Sequence, residues 1–149
     1  MKYWWCNQSR DWGLERKAGV VCSTDMMERL TYRETVNNVC KGDIIVHYKK
    51  PYVVAVSRAK EDARHYEQLP LVSGVDYGSG WRFKTEYFDL SEPINRSEFA
   101  DNLIPLIVKH YPVDTRGYIR QGYFFPFDDK GIRIVLSPTD QKLPEWIVG

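Results

Sequence analysis

The sequence predicts an α+β domain, a small mixed β-barrel or curled sheet of five or six short strands with two or three helices packed outside. Short runs of β-branched and aromatic residues, separated by turn residues, are typical of strands. Helical patterns are few and interrupt the strands without the regular alternation of a doubly wound sheet. A chain of 149 residues has the length of one domain with a sizeable core.

Strands are predicted where apolar or aromatic residues run continuously or alternate with polar ones. In chain order, these runs are residues 3–6, 18–24, 44–48, 52–56, 81–90 and 118–127. The run at 44–48 is continuous and mostly β-branched, and residues 49–51 turn it back into 52–56 as an antiparallel hairpin. Pro126 limits the last run because proline cannot donate to a ladder.

Two segments are predicted to be helical. Thr31 and Glu34 have the spacing of a capping box, which predicts a helix over about residues 32–39. Residues 97–109 carry apolar side chains on one stripe, but Pro105 lies inside them. We therefore expect a kink or two short helical pieces there.

The other segments are predicted to be irregular or stay undecided. Loops are expected at residues 11–17 and 73–80, a loop or weak helix at 60–68, and a short strand or last helical turn at 131–136. We expect one domain over residues 1–136. Residues 137–149 are then a tail or a linker that could lead to a downstream effector domain.

Composition excludes some functional classes and favours a compartment. The formal net charge is +1, from 21 basic and 20 acidic residues, so the strongly basic footprint of many nucleic-acid-binding domains is absent. Cys6, Cys22 and Cys40 form no Cys-x-x-Cys pair, which predicts a reducing, cytoplasmic location rather than a disulfide scaffold. No apolar run approaches the ~20 residues of a membrane span, so no membrane partner is expected.

The sequence contains no recognisable catalytic motif. A His-Glu metal motif, a glycine-rich phosphate loop and a nucleophile elbow are all missing. Cys22 could act as a nucleophile only if a histidine approached it in space, and a structural role is more common for cysteine. We therefore expect neither an enzyme nor a cofactor or metal site.

Aromatic residues make up 14% of the chain and recur beside small amide or hydroxyl groups at predicted strand ends. Rings beside a few such groups form pockets for flat, polar ligands such as a nucleobase flipped out of its stack. For any single tryptophan a core position is the more common explanation, but the clusters together favour a pocket. The residues assigned to base binding are Trp5, Asn7, Gln8, Ser9, Cys22, Ser23, Tyr48, Trp81, Gln121 and Tyr123.

The predicted pocket has a definite arrangement. Trp5, Tyr48, Trp81 and Tyr123 should converge around one concave site, with the residues 7–9 at its edge. A local basic surface should contact the nucleic-acid backbone, although a solvated surface charge is the usual role of such residues. The cations assigned to this contact are Lys49, Lys50, Arg58, Arg82 and Arg120.

Four segments resemble a known family when they are taken in order. They are Tyr3-Trp4-Trp5-x-Asn7-Gln8, residues 41–48 (Lys-Gly-Asp-Ile-Ile-Val-His-Tyr), Gly80-Trp81-Arg82 with Glu86-Tyr87, and residues 121–126 (Gln-Gly-Tyr-Phe-Phe-Pro). They resemble the EVE domain of the PUA-like superfamily, over roughly residues 1–136. The resemblance implies a PUA-like barrel, base flipping and no catalysis in this domain. It is closest to the N-terminal modules of modification-dependent restriction enzymes, which carry an HNH nuclease or a McrBC-type GTPase downstream.

Residues 20–25 also resemble a strand of YTH domains, the related readers of methylated adenine in RNA. That strand usually carries a tryptophan of the aromatic cage just before Cys-Ser-Thr. Here the matching position is Val21 or Cys22. One cage wall is therefore missing or is supplied from elsewhere, with Trp12 and Trp81 as the candidates.

Three hypotheses follow. The first is a binding module for a modified base in DNA, with methylated or hydroxymethylated cytosine ahead of methyladenine, as the specificity domain of a modification-dependent restriction system. The second is an RNA-binding domain of the same fold that reads a modified RNA base. The third is a small enzyme or ligand-binding domain of the ASCH type, against which the lack of a recognisable Lys/His/Glu constellation counts.

Overall fold

The computed structural model describes residues 1–8, 12–25 and 36–148. Its strands are β1 (Tyr3–Asn7), β2 (Val20–Thr24), β3 (Ile44–Lys49), β4 (Tyr52–Ala59), β5 (Arg64–Tyr66), β6 (Gly80–Asn95) and β7 (Phe124–Phe127). The predicted strands at the N-terminus, around residue 20, in the hairpin and after the glycine-rich loop are all confirmed. The strand β6 is longer than predicted and runs on to Asn95.

The strands form one curled, mixed sheet. Six of them follow the order β2-β6-β4-β3-β1-β7, and β5 pairs with β6 beside this path. β1 and β3 are parallel, and the other described pairs are antiparallel. Pro126 is accommodated because β7 is an edge strand of this path. The predicted α+β class with a mixed, curled sheet is confirmed.

Short helices cover the sheet. They are α1 (Trp12–Ala18), α2 (Ala100–Leu103), α3 (Asp129–Leu136) and α4 (Glu145–Val148), with single 3-10 turns at Val36–Asn38, Arg96–Glu98 and Ile104–Leu106. The segment around Pro105 is divided into short pieces, as predicted. The undecided segment after residue 130 is helical and is capped by the Asp128 side chain.

Side chains of adjacent residues on β1 enter two separate cores. Trp5 packs with Ile44, Val46 and residues of α2 and α3, whereas Trp4 and Cys6 pack with Val21, Phe83 and Phe124. Successive strand residues point to opposite faces, so the aromatic run at the N-terminus fills both cores at once. The second core lies on the inner side of the curled sheet, which we call the concave face.

Three predictions about secondary structure differ from the structure. Residues 12–18 form α1 rather than a loop, because Glu15 and Trp12 find partners on distant strands. β5 replaces part of the predicted loop at 60–68, since it completes a pairing with β6. Half of the predicted helix at 32–39 lies outside the described residues, and Val36–Asn38 form a 3-10 turn. The boundary at residue 136 stays a prediction, although Ile147 beyond it is buried in the first core.

Candidate functional site

A buried polar cluster occupies one part of the concave face. Its members, called here the Glu15 cluster, are Gln8, Glu15, His47, Ser57, Thr85, Tyr87 and Tyr123. α1 inserts Glu15 into the sheet interior, where its exposed fraction is 0%. The Glu15 carboxyl accepts hydrogen bonds from Gln8 Nε2 at 2.8 Å, Tyr123 OH at 2.5 Å and the Cys22 backbone amide at 2.9 Å.

Hydrogen bonds fix the tautomer of His47. Gln8 Oε1 can only accept, so its contact with His47 Nδ1 places the proton on that nitrogen. His47 Nε2 then accepts from the Ser57 hydroxyl at 2.6 Å, and Ser57 Oγ accepts from Thr85 at 2.7 Å. Desolvation by burial, with the nearby charge of Arg16, lowers the pKa of His47 to about 3. The ring is therefore neutral near pH 7.

The Glu15 cluster uses polar groups that the sequence assigned to base binding. Both ends of the Gln8 amide are hydrogen-bonded inside the protein, and Tyr123 donates to Glu15. Burial raises the pKa of the Tyr123 hydroxyl well above its usual value, and the nearby Cys6 and Glu15 add to this. In this conformation neither side chain offers a polar group to a ligand.

The predicted convergence of four rings is wrong. Trp5 and Tyr48 lie in the first core, with ring centroids 5.4 Å apart, whereas Trp81 and Tyr123 belong to the second core. Trp5 has an exposed fraction of 0%, so neither face of its ring is available in this conformation. The physical reason is the alternation of side chains along strands, which the prediction did not apply to residues 4–8.

A group of side chains around a half-exposed indole lies elsewhere on the concave face. We define the Trp81 site as Ser23, Asp25, His65 and Trp81. Ser23 and His65 are the cross-strand partners of Trp81 on β2 and β5, so these three side chains share one face. His65 Nε2 lies 3.1 Å from both Asp25 carboxylate oxygens, and its ring meets the Trp81 ring edge-on at 5.4 Å.

Close approach of two backbones holds this site together. A Cβ atom on Gly80 would lie 2.3 Å from the Ser23 carbonyl oxygen and 2.8 Å from Thr24 Cα. Only glycine lets β2 approach the start of β6 this closely, and this approach places Ser23 beside Trp81. Burial of Ser23 and partial exposure of Trp81 leave the indole as the accessible surface.

The position of the missing cage wall is buried. Val21 and Cys22 have exposed fractions of 0% and 1%, so neither could be a wall of an accessible pocket in this conformation. Trp12 packs against His47 at 6.0 Å and Tyr87 at 5.6 Å, over the Glu15 cluster. Tyr87 and Trp81 are six residues apart on β6, about 20 Å of extended strand. Trp12 and Trp81 therefore pack at different points of the concave face.

A cavity of about 600 Å³ lies at the ends of β1 and β3 and is called here the basic pocket. It is lined by Asn7, Tyr48, Lys50, Arg96, Tyr118, Ile119, Arg120 and Gln121. Five of these residues were assigned from the sequence to base or backbone contacts. Arg96 and Tyr118 were missed, because no local pattern links two residues that lie on separate loops.

Asn7 is a structural bridge within the basic pocket. Its Oδ1 accepts a hydrogen bond from Trp5 Nε1 at 2.7 Å. Its Nδ2 donates to the carbonyl oxygens of Arg120 at 3.0 Å and Gly122 at 2.9 Å. These bonds hold the 120–122 segment against the end of β1 and place Gln121 at the pocket wall.

The other predicted positions are dispersed. Lys49 is exposed at the hairpin turn. Arg58 pairs with Glu86 at 3.1 Å and lies 5.1 Å from the Trp146 ring, on an outer surface. Arg82 lies over the Tyr66 ring at 5.5 Å. Ser9 lies outside the described residues, so its predicted role stays a prediction.

Comparison with known proteins bears on the fold. The structure is similar to the NMR structure of Rpa0253 from Rhodopseudomonas palustris, with 14% identity, 92% coverage of both chains and a TM-score of 0.53. It is also similar to the Pho92 YTH domain in complex with m6A, with 16% identity, coverage of 95% of this chain and 88% of that one, and a TM-score of 0.54. No family model and no curated protein matches the sequence. At these identities the likeness shows the fold alone, an α+β fold of the YTH and PUA-like kind.

Two searches within the described ranges were negative. No group of three or more His, Cys, Asp or Glu side chains is arranged to hold a metal ion among residues 1–8, 12–25 and 36–148. In the same part of the chain, no helix combines the length and apolar character needed to cross a membrane.

Proposed function

We propose that this domain binds a modified nucleobase of a nucleic acid and does not catalyse a reaction on it. The observation that carries the proposal is the Trp81 site. It combines a half-exposed indole with a partly exposed imidazole and carboxylate on one concave surface, above the buried Ser23. A ring beside a few polar groups is the arrangement that recognises a flipped base.

The chemistry of each group suits a part of the base. The Trp81 indole offers a face for stacking, which contributes roughly 1–3 kcal/mol per base. The Asp25 carboxylate accepts hydrogen bonds, so it suits an exocyclic amine on the pairing edge. A methyl group buried against the same ring would add about 0.8 kcal/mol. Stacking therefore supplies most of the affinity, and the polar groups select the base.

For the identity of the base, we propose a methylated or hydroxymethylated cytosine flipped out of DNA. The resemblance of four sequence segments to EVE modules supports this choice. The near-neutral charge does not favour one nucleic acid over the other, and it implies that the domain contacts few phosphates. In that context the domain would be the specificity module of a modification-dependent restriction system. Sequencing the complete gene tests this part, since a nuclease or GTPase domain is then expected on the same chain.

A second candidate ligand is N6-methyladenosine in RNA. The observation that favours it is the fold shared with the Pho92 YTH domain, whose structure contains m6A. An adenine carries its methyl group on the exocyclic amine, where it would be near the Asp25 carboxylate instead of the indole. The two candidates therefore differ in which part of the Trp81 site meets the modification.

Fluorescence anisotropy with matched oligonucleotides tests the proposal. Four probes are needed: DNA with and without 5-methylcytosine, and RNA with and without N6-methyladenosine. We expect a few-fold preference for the modified DNA, and Trp81→Ala should weaken its binding by the stacking contribution of roughly 1–3 kcal/mol. Trp146→Ala is the matched control, because that indole lies over Arg58 on an outer surface. Mass spectrometry of the recovered probes should show no change in mass.

The results separate the candidates. A preference for the modified RNA would replace the DNA ligand and keep the Trp81 site. Equal affinity for all four probes, unchanged in the Trp81→Ala variant, would reject the modified-base function.

A further inference from the structure

The basic pocket is lined by cationic side chains, although positive and negative charges nearly cancel over the whole chain. Its wall contains the charged side chains of Lys50, Arg96 and Arg120, and no acidic side chain of residues 1–8, 12–25 and 36–148 lines it. The chain as a whole has a formal net charge of only +1. Three cations around one cavity of about 600 Å³ are therefore a local concentration of positive charge and not a reflection of composition.

Arg96 is held in place before any ligand arrives. Its Nη1 donates to the Gly117 carbonyl oxygen at 2.9 Å, and its guanidinium lies 5.1 Å from the centroid of the Tyr118 ring. A capping box formed by Asn95 and Glu98 fixes the 3-10 turn that begins at Arg96. A guanidinium fixed in this way loses little further freedom when it binds an anion.

The Nε–H group of Arg120 is a buried hydrogen-bond donor. Its Nε is inaccessible to solvent and has no hydrogen-bond partner among the described residues. Its backbone is fixed by the bond from its amide to Pro112 and by the bond from Asn7 to its carbonyl. Buried N–H groups without partners are rare in proteins, so the Arg120 guanidinium has hydrogen-bonding capacity that this conformation does not use.

We propose that the basic pocket binds a phosphate ester, with Arg96 and Arg120 donating to the phosphate oxygens and Lys50 adding charge. Guanidinium groups match the oxygens of phosphate in paired hydrogen bonds. The cavity exceeds the size of one phosphate group. Tyr118, whose exposed fraction is 51%, and Ile119 leave room for the attached sugar. The phosphate belongs either to a nucleic-acid strand or to a free nucleotide, and this site is distinct from the Trp81 site.

NMR of the arginine side chains tests binding directly. In the intact chain labelled with ¹⁵N, we expect titration with inorganic phosphate to shift the Nε–Hε signals of Arg96 and Arg120 saturably. The Arg64 signal is the internal control, because that side chain is exposed over the Tyr66 ring. Equal shifts in sodium chloride of matched ionic strength would overturn the proposal.

Substitutions locate the binding groups. Arg96→Gln and Arg120→Gln should each weaken phosphate binding at least tenfold, as followed by the backbone amides of Tyr118 and Ile119, whereas Arg64→Gln should leave it unchanged. A dispersed spectrum confirms folding of each variant. If an arginine variant does not fold, Lys50→Gln still tests the proposal, because it alters an exposed side chain and should weaken phosphate binding. Unchanged phosphate affinity in the folded variants would contradict the assignment.

A comparison of probes identifies the source of the phosphate. If a strand supplies it, each arginine variant should reduce the slope of log affinity against log salt for an oligonucleotide by about 0.7–0.9 per lost contact. If a free nucleotide supplies it, cytidine 5′-monophosphate should bind in the pocket while the oligonucleotide slope is unchanged. Binding of neither probe in the pocket would reject the proposal.

The experiments can reject the phosphate site without rejecting the base site, and the reverse. The arginine variants should keep any preference for modified over unmodified oligonucleotides, because they do not alter the Trp81 site. Conversely, Trp81→Ala should leave the phosphate-induced shifts at Arg96 and Arg120 intact.

Discussion

Two regions of the concave face contain the same kinds of side chain but differ in how deeply these side chains are buried. The Glu15 cluster and the Trp81 site each contain a carboxyl group, a histidine and an aromatic ring. In the Glu15 cluster the carboxyl group is fully buried and accepts hydrogen bonds from Gln8, Cys22 and Tyr123. At the Trp81 site the Asp25 and His65 side chains are 37% and 35% exposed.

The difference shows that residue type alone does not identify a binding site. A buried polar group must be hydrogen-bonded inside the protein, because an unpaired one is costly. The partners that satisfy Gln8 and Glu15 therefore also remove them from any ligand. At the Trp81 site, by contrast, the indole, the imidazole and the carboxylate are partly exposed to solvent.

The largest expected effect is at Glu15. Glu15→Ala removes the carboxyl group that accepts buried hydrogen bonds from Gln8, Cys22 and Tyr123, so we expect the free energy of unfolding to fall by about 3–5 kcal/mol. Urea denaturation measures this loss. The control is Glu86→Ala, whose side chain is 54% exposed and pairs with Arg58 at the surface. Similar losses of unfolding free energy in the two variants would show that Glu15 is not held in a buried hydrogen-bonded cluster.

Thiol reactivity probes whether the cluster is sealed. Cys6 is fully buried, and desolvation together with the nearby Glu15 raises the pKa of its thiol well above the usual value. Cys40 is exposed. At pH 8 we expect iodoacetamide to alkylate Cys6 at least about a hundredfold more slowly than Cys40. Peptide mass mapping over time measures both rates, and comparable rates would mean that solvent reaches the cluster.

The pH dependence of stability should reveal His47. An unfolded histidine has a pKa near 6.5, whereas burial lowers that of His47 to about 3. Between these values the unfolded chain binds a proton that the folded chain does not, so stability falls as the pH falls. The cost is up to about 1.4 kcal/mol per pH unit.

His47→Gln removes this titration. The difference in unfolding free energy between the parent chain and the variant should narrow from pH 7 to pH 4, as measured by urea denaturation at each pH. Other titrating groups are common to both proteins and cancel in this difference. Parallel curves would argue against a buried, neutral His47.

The smallest effect is expected at Asp25. Both side chains of its contact with His65 are more than a third exposed. Asp25→Ala should therefore change the free energy of unfolding by less than about 1 kcal/mol. The same urea titration measures it. A loss as large as that of Glu15→Ala would place Asp25 among the groups that hold the fold and weaken its proposed role toward a base.

Local patterns predicted most of the sheet because they depend on neighbouring residues. The β-branched run at 44–48 and the alternation after Trp81 both became strands. α1 was missed because its seven residues carry no clear apolar stripe. Its stabilising contact, from Glu15 to Tyr123, joins residues 108 positions apart. β5 was missed for a similar reason, since three residues form a strand only beside β6.

For the candidate sites, one error was avoidable and another was not. Strict alternation along β1 places Gln8 on the face of Trp4 and Cys6, and Asn7 on the face of Trp5. Applied to residues 4–8, this rule would have separated the two amides. No such rule brings Arg96 and Tyr118 together, because the capping box after β6 and the hydrogen bonds of Asn7 determine where their loops lie.

The sequence by itself determined the α+β class, the positions of the main strands along the chain and a set of aromatic and polar residues as candidates for a base site. Periodicity and turn chemistry act over a few residues, so they are readable from the chain. Only the tertiary structure decided which polar groups are buried with partners and which stay exposed. Those outcomes depend on contacts between distant segments, such as Gly80 against Ser23 and Glu15 against Tyr123, which satisfy hydrogen bonds that local sequence leaves open.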